Sequence, residues 1–202
     1  MPNVFKAGDS EGSHRPVGSK RFTIAISGEP GSGKTTYAKR IAEELGLRYV
    51  SIGGLFRSLA KERGLSLIDF HRLAEEDPSF DLLVDERAFS EALKGGVVVD
   101  GHLAGWLLRR VADVKIFFTA PIEVRAERVA SRDGVSYEEA LRQIKEREES
   151  NRRRYREIYG IDISDLSVFD LVINTALWSK EVVAETVIKL LKQALGLEST
   201  SL

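Results

Sequence analysis

Residues 28–35 carry the chemistry that is easiest to assign from this sequence. They read GEPGSGKT and fit the pattern G-x-x-x-x-G-K-[ST] at every fixed position. In this pattern the backbone N–H groups surround an anion, the lysine reaches the terminal phosphates and the hydroxyl holds Mg²⁺. The sequence therefore predicts a nucleotide phosphate-binding loop, in which Lys34 contacts the β- and γ-phosphates and Thr35 holds the metal.

A second candidate metal group is Asp100, which ends an apolar run at positions 97–99. A carboxylate at the end of a strand can hold Mg²⁺ or its water shell beside the phosphate loop. The alternative is that Asp100 caps the next turn. Gly101 follows, where ATPases that hydrolyse for work often have a glutamate, and this disfavours such an ATPase.

Two sets of polar residues recur at the spacing of a single helical face. The sets are Arg125, Arg128 and Arg132, and Arg147, Asn151 and Arg154. Guanidinium groups bind phosphates bidentately and stay charged, as a closing lid requires. The alternative is surface pairing, because residues 138–157 hold seven basic residues against six glutamates. That near balance also argues against a nucleic-acid site.

The elements that must position these groups follow from the apolar pattern. Short apolar runs predict strands at 22–27, 48–51, 96–100, 114–119 and 170–174. Helical patterns separate them, which is typical of an α/β protein with a doubly wound parallel sheet. A final helix is predicted over about 179–195, with an apolar face formed by Val182, Val183, Val187, Leu190, Leu191 and Leu195.

Two helical insertions interrupt this pattern, at 52–95 and at 130–168. Both leave the sheet where ligands bind, at the carboxyl ends of the strands. We expect them to hold a second substrate and to cover the reaction. Residues 1–20 lack periodicity and are interpreted as a flexible extension, so that the folded domain spans 21–202.

Composition limits the remaining function classes. The 202 residues have a net charge of −1, no cysteine and no apolar run of membrane-spanning length. We expect a cytoplasmic monomer that binds small molecules and neither nucleic acid nor membrane. The high charged fraction, 30%, with few amide side chains indicates a thermophilic source.

At this point the chain resembles the nucleoside monophosphate kinases, and among them the archaeal-type cytidylate kinases. The resemblance covers about 22–195 and is carried by GEPGSGKTTYAKRIAEELGL, GGLFRSLAKERG, VVVDGHLAGW, APIEVRAERVASRDG and IKEREESNRRRYREIYGIDISDLSVFDLVINT. It implies a three-layer P-loop NTPase fold with a five-stranded parallel sheet. The insertion at 52–95 would bind the monophosphate, and 130–168 would be the lid. The implied reaction is Mg²⁺-dependent transfer from ATP to CMP or dCMP.

The resemblance also implies roles for individual residues. Arg57 would bind the acceptor's phosphate, and Arg147 and Arg154 would clamp the transferring phosphoryl group or the acceptor phosphate. Arg128 would lie near the ATP base and Arg132 near its phosphates. The loop residues expected to bind ATP are Gly28, Glu29, Pro30, Gly31, Ser32, Gly33, Lys34, Thr35 and Thr36.

The acceptor base is the least defined part of this assignment. Asp85 and Arg87 are candidates for reading the pyrimidine edge, with a surface helix pair as the alternative. Asp100 would begin the segment that lines the acceptor site. His102 stands in D-G-H, where many cytidylate kinases have D-G-R; it would bond a base or phosphate, or simply pack.

Ile52 and Gly54 also depart from the family pattern, which leaves the identity of the base open. The same chemistry on AMP is therefore one alternative function. A nucleotide-dependent binding or assembly ATPase is another, which Gly101 and the near-neutral charge disfavour.

Overall fold

The computed structural model describes residues 21–197, apart from the side chains at positions 67, 68, 71 and 72. The predicted extension at 1–20 lies outside the described residues. Within them, one five-stranded sheet has the order β2-β3-β1-β4-β5, and every pair is parallel. Its strands are β1 Thr23–Gly28, β2 Arg48–Ser51, β3 Val97–Asp100, β4 Val114–Thr119 and β5 Leu171–Asn174.

The predicted α/β fold with a five-stranded parallel sheet is confirmed, and each predicted strand lies within a residue of the observed one. All six residues of β1 and all four of β3 are buried. Continuous apolar runs of this kind are typical of parallel strands covered on both faces. The helices that connect and cover them are α1 Lys34–Glu44, α2 Ile52–Glu62, α3 Leu67–Glu76, α4 Ser79–Leu93, α5 Ala104–Leu107, α6 Ile122–Asp133, α7 Tyr137–Tyr159 and α8 Lys180–Ala194.

Helices α1 and α8 cover one face of the sheet. Ile41 of α1 and Leu191 of α8 pack with Ile26 and Ile116 in one buried cluster. The predicted apolar face of α8 was partly wrong. Its members Val182 and Leu190 are 46% and 41% exposed, whereas the structure buries two residues that the pattern left out, Ala184 and Ile188.

The other face of the sheet is covered by α4, α5 and the end of α7. Ala88 and Ala92 of α4 and Tyr159 of α7 pack against Val99 and Phe117. The insertion at 52–95 and the region at 130–168 are therefore anchored in the main core rather than separate from it. The insertion also has a small core of its own, formed by Leu59, Ala60, Phe70 and Val84. A further small core joins α6 to α7 and is formed by Ala126, Val129, Ala140 and Ile144.

None of the helices within residues 21–197 combines the length and apolar character that crossing a membrane requires.

Candidate active site

The phosphate-binding loop joins β1 to α1 and leaves the first N–H groups of α1 available. Gly33 precedes α1 with φ +89°, and in the described chain no side chain caps that helix end. The backbone N–H of Thr36 donates to the Gly33 carbonyl at 2.9 Å. A helix N-terminus with free N–H groups, next to a lysine, forms an anion site. The loop geometry therefore suits a polyphosphate.

The loop is held from below by Arg125, a side chain that is only 5% exposed. Its guanidinium donates to the carbonyls of Pro30 at 3.2 Å and of Ala120 at 2.9 Å. It also pairs with Glu148 of α7 at 2.5 Å and with Glu29 of the loop at 3.4 Å. Arg125 thus connects the phosphate loop to α7. It is a buried support and not one of the mobile cations that its helical spacing had suggested.

The backbone of the loop packs closely against the backbone of Arg125 at Gly31. Gly31 has φ +83°, and a Cβ there would lie 2.7 Å from the Arg125 carbonyl oxygen. Any side chain would force the loop off its support, which explains why glycine occupies this position.

Thr35 and Asp100 meet where β1, β3 and α1 come together. The Thr35 hydroxyl donates to Asp100 Oδ2 at 2.7 Å, and the Tyr49 hydroxyl donates to the same oxygen at 2.9 Å. Asp100 is 2% exposed, and no atom in residues 21–197 bonds its Oδ1. Burial and the neighbouring Asp100 carboxylate raise the pKa of Tyr49 to about 12, so Tyr49 stays a neutral donor.

This pair fits the metal site that the sequence predicts. Mg²⁺ is commonly held by one or two protein oxygens together with waters and substrate phosphates. A hydroxyl and a carboxylate with a spare buried oxygen provide such a set. In the part of the chain that is described, no cluster of three or more His, Asp or Glu offers a rival metal site.

Three cations converge on the open side of the loop. Burial lowers the pKa of Lys34, Asp100 opposes that effect, and Arg147 and Arg132 lower the pKa further. Arg132 is exposed and bonds Asp133 through two contacts of 2.7 Å. Arg147 is also exposed, on α7. Positive charge therefore gathers where the terminal phosphates of a nucleotide would lie.

Arg128 lies between Arg125 and Arg132 on α6 and contacts the loop that follows β5. Its guanidinium donates to the hydroxyl and the carbonyl of Thr175, both at 2.8 Å. The Thr175 hydroxyl in turn donates to the Ser32 carbonyl at 2.9 Å. Arg128 is therefore linked to the phosphate loop through Thr175.

A cavity of about 560 Å³ opens between α2, α4, α7 and the segment after β3. Of the predicted acceptor residues, Arg57, Asp85 and His102 line it. The predicted face of α7 lines it as well, through Arg147, Asn151 and Arg154.

Arg87 is not part of this cavity, which corrects the prediction that it reads the base. It bonds both carboxylate oxygens of Glu62 at 3.1 Å on the outer side of the insertion. Asp85 and Arg87 are two residues apart in α4, and such residues project from different sides of a helix.

His102 is an uncharged member of the cavity wall. Burial first, and then the nearby Lys34, Arg147 and Arg125, lower the pKa of His102 to about 3. Its ring lies 5.7 Å from that of Tyr155. His102 can therefore donate or accept a hydrogen bond at neutral pH, but it adds no positive charge.

The deep end of the cavity holds buried acids that the sequence did not single out as a group. Arg154 donates from Nη2 to Asp81 Oδ1 at 3.2 Å, and the Tyr159 hydroxyl donates to Asp85. Burial raises the pKa of Asp85 to about 7 and also raises the pKa of Asp81, where Arg154 opposes the effect. Arg154 lies with these acids, whereas the charges that act on Lys34 are Asp100, Arg147 and Arg132. The predicted phosphate clamp is therefore divided between two ends of the cavity.

Comparison with known proteins agrees with this architecture. The model of the cytidylate kinase-like family matches residues 23–177. The cytidylate kinase of Ignicoccus hospitalis is 51% identical over 168 residues, which are 83% of this chain and 98% of that protein. The cytidylate kinase of Aeropyrum pernix is 54% identical, over 77% of this chain and 91% of that protein.

Solved structures share the fold at much lower identity. A shikimate kinase from Bacteroides thetaiotaomicron superposes with a TM-score of 0.58 at 14% identity, covering 87% of this chain and 98% of that one. An uncharacterised protein from Eubacterium ventriosum superposes with a TM-score of 0.67 at 20% identity, covering 85% of this chain and 98% of that one. These likenesses concern the fold alone. The family model and the archaeal relatives cover most of the sequence, and they confirm the resemblance found there: the chain belongs to the cytidylate kinase-like family.

Proposed function

We propose that the protein transfers the γ-phosphoryl group of ATP to CMP or dCMP, giving ADP and CDP or dCDP. The observation that carries this proposal is the position of Arg147. It lines the acceptor cavity and also acts on the charge of Lys34 in the phosphate loop. One guanidinium thus borders both the donor and the acceptor side, as direct transfer between two bound nucleotides requires.

The residues divide into those that hold the donor and those that hold the acceptor. The loop of residues 28–36, which includes Lys34, would bind the ATP phosphates, with Arg132 beside them and Arg128 near the ATP base. Arg57 at the cavity wall would bind the acceptor phosphate. Thr35 and Asp100 would hold Mg²⁺, which when bound neutralises charge on the β- and γ-phosphates.

The transfer needs little covalent help from the protein. An acceptor phosphate oxygen, already anionic, forms a bond to the γ-phosphorus while the bond to the β–γ bridging oxygen breaks, and ADP leaves with that electron pair. No general base is needed. Lys34, Arg132 and Arg147 would offset the negative charge in the transition state, and closure of α7 over the cavity would exclude water.

The decisive experiment is an acceptor panel. CMP, dCMP, UMP and AMP are each supplied with ATP and Mg²⁺, and ADP release is measured. We expect CMP and dCMP to give the highest turnover. A preference for AMP would show that the acceptor is AMP rather than CMP. Hydrolysis of ATP without any acceptor would show that the protein is a binding or assembly ATPase and not a kinase.

The Lys34→Ala variant tests the mechanism within the same assay. We expect it to lose most activity while the fold is retained, since Lys34 contacts the transferring phosphates. Lys189→Ala, an exposed lysine on α8, is the matched control. Near-normal turnover of Lys34→Ala would refute the mechanism.

We further propose that the enzyme works as a monomer. Its small-molecule substrates would all bind within one chain, since the donor loop and the acceptor cavity come from the same protomer. Sedimentation equilibrium should then give a mass near 22.5 kDa.

A further inference from the structure

Two buried polar atoms, on residues that line the acceptor cavity, have no hydrogen-bond partner. They are Oδ2 of Asp81 and Nε of Arg154, and none of the residues 21–197 bonds either atom. Asp81 is 9% exposed, and both residues line the cavity. Buried polar atoms in native proteins are rarely left unpaired, because an unmade hydrogen bond is costly. Such atoms at a cavity wall indicate a ligand that completes them.

The two atoms belong to one ion pair. Arg154 Nη2 donates to Asp81 Oδ1 at 3.2 Å, which uses one oxygen of the carboxylate and one arm of the guanidinium. The remaining groups are an acceptor, Oδ2, and a donor, Nε–H. The pair therefore keeps one acceptor and one donor unused beside the deep end of the cavity.

We propose that the Asp81–Arg154 pair reads the edge of the acceptor base and selects a 4-aminopyrimidine over uracil. This inference rests on the proposed function. In cytosine, an amino group that donates lies beside a ring nitrogen that accepts. The amino group would donate to Asp81 Oδ2, and the ring nitrogen would accept from Arg154 Nε. Carboxylates accept from this amino group in nucleic-acid recognition too.

Uracil presents the reverse order of groups. Its 4-carbonyl would face the Asp81 carboxylate and its ring N–H would face the Arg154 N–H, so both contacts would be repulsive. Sites that pair buried polar groups with a substrate reject analogues that cannot pair them. Adenine carries the same amino and ring-nitrogen order as cytosine, so the size of the cavity has to exclude it.

The position of the pair along α7 supports this assignment. Arg147 and Arg154 are seven residues apart on one face of α7, which corresponds to about 10 Å along the helix axis. Arg147 acts on Lys34 at the phosphate end, and Arg154 bonds Asp81 at the other end. A nucleoside monophosphate that lies along α7 would reach both. Asp85, by contrast, already accepts from Tyr159, and Arg87 faces away from the cavity.

The test is the ratio of kcat/KM for CMP to that for UMP in Asp81→Asn. The asparagine oxygen has to stay on Arg154, because an amide NH₂ cannot accept its hydrogen bond. The NH₂ group then faces the base, where it repels the amino group of cytosine and matches the carbonyl of uracil. We expect kcat/KM for CMP to fall by roughly 10- to 100-fold, and the CMP/UMP ratio to fall at least tenfold.

Glu75→Gln is the matched control, since it makes the same change from carboxylate to amide at an exposed acid of the same cavity. Its CMP/UMP ratio should equal that of the wild type. KM for ATP and the melting temperature of Asp81→Asn show whether the fold is retained. Should that variant not fold, Arg154→Lys, which keeps the charge but removes Nε–H, is expected to lower the ratio as well.

The outcomes separate the inference from the proposed function. Equal losses for CMP and UMP in the folded variants would mean that the pair only supports the structure, and would overturn the inference. Equal use of CMP and UMP by the wild type would overturn it too, while leaving the kinase function intact. A wild-type protein that phosphorylates no monophosphate would overturn the proposed function, and the inference with it.

Discussion

Arg125 is the side chain whose replacement would show how the phosphate loop is held in place. Arg125→Met keeps much of the aliphatic stem but removes the guanidinium. The buried carbonyls of Pro30 and Ala120 then lose a donor, and Glu148 and Glu29 lose their cation. The two carbonyls belong to buried residues, and the two carboxylates are partly buried.

The expected loss of stability follows from those contacts. Leaving a buried acceptor unpaired costs about 1–3 kcal/mol, and breaking a buried ion pair by removing one partner costs about 3–5 kcal/mol. These costs overlap, and the carboxylate side chains of Glu148 and Glu29 are 22% and 30% exposed, so water recovers part of the loss. We expect the free energy of unfolding to fall by about 3–5 kcal/mol in total.

Urea denaturation measures this change, and KM for ATP measures its effect on the loop. We expect KM for ATP to rise, because Pro30 lies in the loop that binds the phosphates. Arg142→Met is the control: Arg142 lies on α7, the helix that Arg125 contacts through Glu148, but its bonds to Glu139 and Glu146 are on the surface, where ion pairs contribute little. A loss below about 1 kcal/mol in Arg125→Met, or a large loss with KM for ATP unchanged, would refute the coupling of loop and helix.

Three further predictions concern single residues. Asp85→Asn should flatten the pH dependence of stability. The folded-state pKa of Asp85 is raised from 3.8 to about 7, so its contribution is greatest at low pH and is lost as pH rises through 7. Between pH 5 and pH 8, the free energy of unfolding of the wild type should fall by roughly 3 kcal/mol more than that of the variant, as measured by urea denaturation. Thr35→Val should raise the Mg²⁺ concentration required for half-maximal activity, and it should lower the free energy of unfolding by about 1 kcal/mol, because Asp100 Oδ2 loses one of its two donors; an unaltered Mg²⁺ titration would remove Thr35 from the metal site. Gly31→Ala should weaken ATP binding at least tenfold in calorimetry, because its Cβ would lie 2.7 Å from the Arg125 carbonyl and straining the loop by about 1.4 kcal/mol suffices; unchanged affinity would show that the loop can move without cost.

The parts of the fold that were predictable are those that local sequence determines. The inner strands β1, β3 and β4 are short runs of mostly apolar residues, which parallel strands covered on both faces require. The phosphate loop is a contiguous motif whose backbone shape depends on glycines at fixed positions. Such features need no knowledge of distant residues.

Arg125 and Asp81 show what the sequence could not reveal. Arg125 shares a helical face with Arg128 and Arg132, and only the packing of α6 against α7 decides which guanidinium is buried on Glu148, 23 residues away. Asp81 is 73 residues from Arg154 and has no local signature. Of the two residues that were predicted to read the base, Asp85 lines the cavity and Arg87 does not, because residues two positions apart project from different sides of a helix.

The prediction of the apolar face of α8 was partly wrong for a different reason. Its apolar residues extend around more than one face, so a 3.6-residue period fits several stripes. Strand β5 lies at the edge of the sheet, and the sheet ends before it can cover the flank that carries Val182 and Leu190. Both side chains remain exposed beside it. Which side of α8 is buried therefore depends on the order of the strands in the sheet. The sequence of α8 alone carries no information about that order.

Within one short stretch of α7, three side chains contact three different parts of the site. Glu148 bonds Arg125 under the phosphate loop, Arg147 borders Lys34 and the acceptor cavity, and Arg154 bonds Asp81 at its deep end. Because these three side chains lie within about two turns of one helix, a shift of this part of α7 that improves one of the contacts changes the other two. Donor binding and acceptor binding should therefore be energetically linked through α7, and binding of CMP should tighten or loosen ATP binding by the same factor as the reverse.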